Sequence, residues 1–97
     1  MQEDIITTEE YARQSHTDIH FINELGEVGL IEITVHEQTQ CIAVHQLPLL
    51  EKYARLRYDL DINVEGIEAI SHLLEKIETM QHEMDDLRRK MQLFNSL

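Results

Sequence analysis

Six histidines and one cysteine are the residues of this 97-residue chain best suited to hold a metal ion. His16 and His20 stand four apart, a spacing that places both on one face of a helix. His36, Cys41 and His45 follow at intervals of five and four. Zinc centres usually announce themselves by tighter ligand pairs backed by a second pair, and no second motif is present. The spacing leaves His36, Cys41 and His45 open as ligands but predicts no metal centre. For nucleophilic catalysis Cys41 would need a positioned base, and the alternation around it reads as a half-buried strand instead. Glu9-Glu10 and Asp85-Asp86 are adjacent acids. Neighbouring helix positions point about 100° apart, so neither pair forms a carboxylate dyad. Ser15-His16 ends a helix. The three glycines form no phosphate-cradling loop. We therefore expect no enzyme and no cofactor.

The elements that carry these residues can be read from capping and periodicity. Residues 7–15 read as a short helix, with Thr7 as N-cap and Glu10 completing a capping box. Tyr11 and Ala12 face inward. A second short helix runs from about Asp18 to Leu25, with Ile19, Phe21, Ile22 and Leu25 on its apolar face and Gly26 as its breaker. Two short helices joined by a tight turn suggest a helix-turn-helix. Over residues 30–45 the period changes to two: Ile31, Ile33 and Val35, then Cys41, Ala43 and His45, alternate with their neighbours. This pattern predicts a β-hairpin, turning within residues 37–40 without a glycine. Pro48 suits the first turn of a helix from about Leu47 to Leu60 that buries Leu49, Leu50, Tyr53, Leu56 and Leu60. Asn63 caps the next helix.

That last helix, from about Val64 to Phe94, carries the strongest pattern in the chain. Ile70, Leu73, Ile77, Met80, Met84, Leu87, Met91 and Phe94 recur at alternating steps of three and four. This is the a/d seam of a coiled coil. A helix of about 30 residues spans about 45 Å, more than so small a domain can cover. The seam predicts a partner helix, most simply from a second copy, with Glu83 and Arg88 at the flanking g and e positions. His72 and His82 fall at the outward c and f positions.

Composition narrows the function. The net charge is −11, from 8 basic and 19 acidic residues. Residues 1–52 hold ten acids against two bases, and residues 53–97 nine against six. Nucleic acids and anionic membranes repel such a chain, whereas a basic protein surface attracts it. A single cysteine excludes an internal disulfide framework and fits a reducing compartment. The acidic start over residues 1–5 lacks the basic and apolar regions of a signal peptide, and no apolar run is long enough to span a membrane. A cytoplasmic protein is expected. The chain reads as one compact unit, with residues 1–63 forming the winged helix-turn-helix region and residues 64–97 the dimerisation helix.

This order of elements resembles the MerR family of regulators: helix-turn-helix, two-stranded wing, a further helix and a dimerising coiled coil. Val28-Gly29-Leu30-Ile31 is similar to that family's Gly-Leu element ahead of the wing, and Leu56 to Ile70 to its block leading into the coil. The run Arg-Leu-Arg-x-x-Leu-x-Ile-x-x-x-Gly-Ile from Arg55 to Ile67 resembles most closely the chaperone-modulator offshoot, the CbpM family. The departures from DNA-binding members lie at their contact positions. Asn23 and Glu27 stand where the resemblance places arginines on DNA, and Gln40 to Val44 replace the basic, aromatic wing segment. The resemblance thus implies a mainly α fold and a bacterial chaperone modulator. Such a protein binds the J-domain of a DnaJ-like co-chaperone (CbpA type) and inhibits its engagement of the Hsp70 chaperone DnaK. The contact set expected on this reading is Asp18, Glu24, Glu27 and Glu32, with Phe21 and Ile22 as apolar anchors. The alternative is a MerR-class transcriptional regulator, for which Arg13, Arg55 and Arg57 remain.

Overall fold

A computed structural model describes residues 4–96. Residues 1–3, which open the acidic start noted above, and residue 97 lie outside it. The chain begins with a strand that the sequence reading missed, β1 (Ile5–Thr7), and passes directly into helix α1 (Thr8–Ser15). Thr7 caps α1 as expected, its hydroxyl accepting from the Glu10 amide at 3.1 Å. The capping box is only half formed, because the Glu10 carboxylate turns instead to Arg13 and Gln14. His16, left-handed at φ 55°, ends α1. Helix α2 (Ile19–Glu27) starts three residues later behind Asp18.

Gly26 does not break α2, a correction to the sequence reading. The helix continues through it to Glu27, and the reversal falls at Gly29, at φ 83°. Gly26 serves close packing instead. A Cβ there would lie 2.6 Å from Cδ1 of Ile33, so α2 rests against the hairpin at this point.

That hairpin is β2 (Ile33–His36) and β3 (Thr39–Ala43). Its two-residue turn, Glu37-Gln38, takes positive φ at both positions (51° and 67°). Mirror-image hairpin turns need this geometry and usually take it with Asn or Gly. The expected two-stranded wing is in fact a three-stranded antiparallel sheet of order β1-β3-β2, with Ile6 opposite Ile42 and Ile33 opposite Ile42 on the other side. His45 leaves the strand and sits in a single 3-10 turn (Val44–Gln46).

Helix α3 (Leu47–Tyr58), with Pro48 in its first turn, buries Leu50 and Tyr53 and half-buries Leu56. Leu49 lies one step around the helix from Leu50 and is exposed. Leu60 lies beyond the helix end, where the helical phase no longer holds, and is 64% exposed. Both correct the expected core. The sealed interior is Ile22, Leu25, Ile42, Leu50 and Ile67, one or two from each of α2, β3, α3 and the last helix, with Tyr11, Phe21, Ile31, Tyr53 and Val64 around them.

Helix α4 (Val64–Asn95) runs for 32 residues, or about 48 Å. Asn63 caps it, Oδ1 accepting from the Gly66 amide at 2.8 Å. Val64 and Ile67 anchor it in the core and Ile70 is half-buried. From Leu73 onward the seam is exposed, and Phe94 is 80% exposed. The molecule is elongated, 62 × 38 × 20 Å.

Candidate functional site

Helix α2 is held at both ends by tyrosines of α3. At its start the Asp18 carboxylate caps it, accepting from the His20 amide at 2.9 Å, while the Asp18 amide donates to the Tyr58 hydroxyl at 3.0 Å. The Phe21 ring meets Tyr58 edge-on, with centroids 5.8 Å apart. Past its end, the Tyr53 hydroxyl donates to the Leu30 carbonyl at 3.3 Å. The Phe21, Ile22 and Leu25 face of α2 is thereby pressed into the core.

The opposite face follows from the 3.6-residue period. His20, Glu24 and Glu27 fall on one stripe, with Asn23 beside it. Asp18, Glu24 and Glu27 are all exposed. Asp18 and Glu24 share a shallow depression of about 150 Å³ with His20, Arg57 and Tyr58. Glu27 lines a second depression, of about 360 Å³, between α2 and the hairpin, with Asn23, Gly26, Ile33, Val35 and Gln40. The Asn23 Oδ1 is buried without a hydrogen-bond partner.

Glu32 stands apart. It lines a depression of about 370 Å³ with Ile5, Thr34, His36, Ala43, His45 and Gln46, on the sheet face turned away from α2. The Gln46 side-chain amide grips its backbone, accepting from the Glu32 amide at 2.7 Å and donating to its carbonyl at 2.9 Å. Nothing in the sequence pattern signalled this clasp.

The six residues expected to meet a partner are therefore divided. Asp18, Glu24 and Glu27 lie along the outer side of α2, and Glu32 lies behind the sheet. Phe21 and Ile22 are core residues, 5% and 0% exposed. Their positions on the inward stripe of α2 remove them from the contact set, a correction set by helical phase.

Electrostatically this surface is one-sided. No lysine or arginine occurs between Arg13 and Lys52, a stretch that includes all of α2, β2 and β3. Arg57, which borders α2 in the depression with Asp18 and Glu24, pairs with Asp61 at 3.1 Å. Cys41 is buried in the central strand, its Sγ 3.5 Å from the Thr39 carbonyl. Among the described residues no group of three or more His, Cys, Asp or Glu is placed to hold a metal ion. Nor is any helix there long and apolar enough to cross a membrane.

Two short helices joined at residues 16–18, backed by a small sheet and followed by a long helix, define a winged helix-turn-helix domain. The family model described as MerR HTH family regulatory protein matches residues 6–89, and the chain belongs to that family. No curated protein and no solved structure matches it.

Proposed function

We propose that this regulatory domain acts on a protein rather than on DNA. On this reading it is a non-catalytic chaperone modulator of the bacterial cytoplasm. It binds the J-domain of a DnaJ-like co-chaperone and inhibits its engagement of the Hsp70 partner. The observation that carries the reading is the charge of α2. The helix in the recognition position presents Glu24 and Glu27 outward and has no lysine or arginine, and neither has the wing. Phosphate contacts by Lys and Arg supply nearly all non-specific DNA affinity, so this face repels DNA. It complements a basic helix, where opposite charge sets the encounter rate and the choice of partner. The CbpM-like run from Arg55 to Ile67 supports the J-domain as that basic partner. The contact set becomes Asp18, Glu24 and Glu27, with Glu32 as a separate contact behind the sheet.

Calorimetric titration with a J-domain at low and moderate salt tests this. Binding should weaken with salt. The double variant Glu24→Lys, Glu27→Lys should weaken it at least about tenfold, a loss of about 1.4 kcal/mol. Absence of binding at both salts overturns the proposal. The second reading, a MerR-class transcriptional regulator, rests on the family match and on the exposed Lys52 and Arg55 of α3. Mobility shift on genomic DNA fragments distinguishes it.

A further inference from the structure

The sheet has an open edge, and the hairpin register shows which groups lie along it. The turn Glu37-Gln38 makes His36 and Thr39 the hydrogen-bonded pair that closes β2 on β3. Such pairs alternate along an antiparallel ladder, so the next is Thr34 with Cys41. Ile33 and Val35 are in the other phase and turn their amides and carbonyls away from β3. The same alternation holds across β3, where the Val44 amide donates to the Asp4 carbonyl at 2.9 Å and Ile6 pairs with Ile42. Glu32 is in phase with Thr34, so the Gln46 clasp lies on the β3 side and not along the outer edge. Among the described residues, no hydrogen bond outside the hairpin reaches the backbone of Ile33 or Val35. Thr34, Val35 and His36 are exposed. The strand carries no proline, lysine or bulge, the devices that ordinarily guard an edge.

Beside this edge lies the depression of about 360 Å³ between α2 and the hairpin. Ile33 meets α2 at Gly26, and Val35, two residues on, shares that face of the sheet and is 66% exposed. In an added antiparallel strand, the residues opposite Ile33 and Val35 project on the same face. Opposite Val35 an apolar residue fits, because it covers that side chain. Near Ile33 the depression is lined by the Glu27 carboxylate and by Asn23, whose Oδ1 is buried without a partner. Both oxygens call for a donor, and a carboxylate calls for a cation, so the complementary side chain is Lys or Arg. The β2 strand of a second copy brings no such group, since no lysine or arginine occurs between Arg13 and Lys52. An extended segment of a basic protein does.

We propose that the outer edge of β2 takes an extended basic peptide as a fourth strand, its ladder made to Ile33 and Val35 and its Lys or Arg set against Glu27 and Asn23. At four residues β2 matches a short segment of a partner. The inference goes beyond the J-domain reading and stands without it, because the occupant is a strand and not a helix.

The probe is a blocked heptapeptide, Thr-Val-Thr-Lys-Thr-Val-Thr, added to the full chain, with amide exchange followed by NMR. At saturation the Ile33 and Val35 amides should gain at least about tenfold protection, while those of Thr34 and His36, already paired, should change little. Methylating the backbone amide of the peptide's lysine should abolish binding. Methylating that of the threonine before it, which points away from β2, should not. Glu27→Lys should weaken the peptide about tenfold and should prefer the same peptide with glutamate in place of lysine, an inversion that a misfolded variant would not give. Unchanged exchange at Ile33 and Val35 in millimolar peptide overturns the proposal, as does equal binding of the two methylated peptides. A lysine preference that survives in Glu27→Lys overturns the placement of the basic side chain. Protection of the same amides that grows with protein concentration, without peptide, makes a second copy the occupant and overturns the basic segment. A J-domain that fails to bind removes the proposed function and leaves this result as it stands.

Discussion

Replacing Gly26 by alanine sets two effects of known sign against each other. Gly26 lies inside α2, where alanine is favoured over glycine by about 1 kcal/mol. The added Cβ, however, would stand 2.6 Å from Ile33 Cδ1 and 3.1 Å from Ile33 Cγ1. Ile33 must leave its rotamer, at a cost of about 0.5–1.5 kcal/mol, and loses contacts besides. Gly26→Ala alone should therefore be neutral or destabilising by up to about 1 kcal/mol. Ile33→Val removes Cδ1 and costs about 0.5–1 kcal/mol, the low part of the usual range because Ile33 is only half-buried. In that background Gly26→Ala has its worst contact removed, so it should stabilise by about 0.5–1 kcal/mol. The cycle predicts a favourable coupling of about 1 kcal/mol. Urea unfolding of the four proteins, compared at constant m, measures it. Additivity within about 0.3 kcal/mol would refute the close approach of α2 to β2 as the reason for a glycine here.

Other perturbations follow from local geometry and from titration. Gln38 sits at φ 67° in the hairpin turn, so Gln38→Gly should raise stability by about 1 kcal/mol and shift the thermal midpoint upward. Burial raises the Tyr11 hydroxyl above its ordinary pKa. A hydrogen bond with Ser15 works against the shift and the charge of Glu51 adds to it. Because the folded value is the higher one, the contribution of Tyr11 is fully present below pH 10.0 and is lost as pH rises through the folded value. Tyr11→Phe should remove that alkaline component of the stability profile, followed by circular dichroism between pH 8 and about pH 11.

Most of the helical frame was legible because its signals are local. Thr7 and Asn63 each cap the helix their side chains announced, and the α4 seam repeats without a break. The misreadings have non-local causes. β1 is only three residues long, and its pairing with β3 depends on a partner more than thirty residues away. Gly26 carries the usual mark of a helix stop, yet it is required by Ile33 across a tertiary contact that no period reveals. The outer face of α2 was readable from helical phase, but the separation of Glu32 from it was not. That separation depends on which side of the sheet residue 32 lies, and the clasp by Gln46 has no sequence signature.

Helix α4 is also a lever. Its buried residues, Val64 and Ile67, lie in its first two turns with the half-buried Ile70, behind the cap at Asn63. About 24 further residues, roughly 36 Å, project from that mounting. A rotation of about 10° at the mounting sweeps the tip sideways by roughly 6 Å, more than half the usual distance between two packed helix axes. The stiffness of this short mounting thus governs how accurately Phe94 can be aimed, and whatever grips the far end applies its torque to the same core that holds α2.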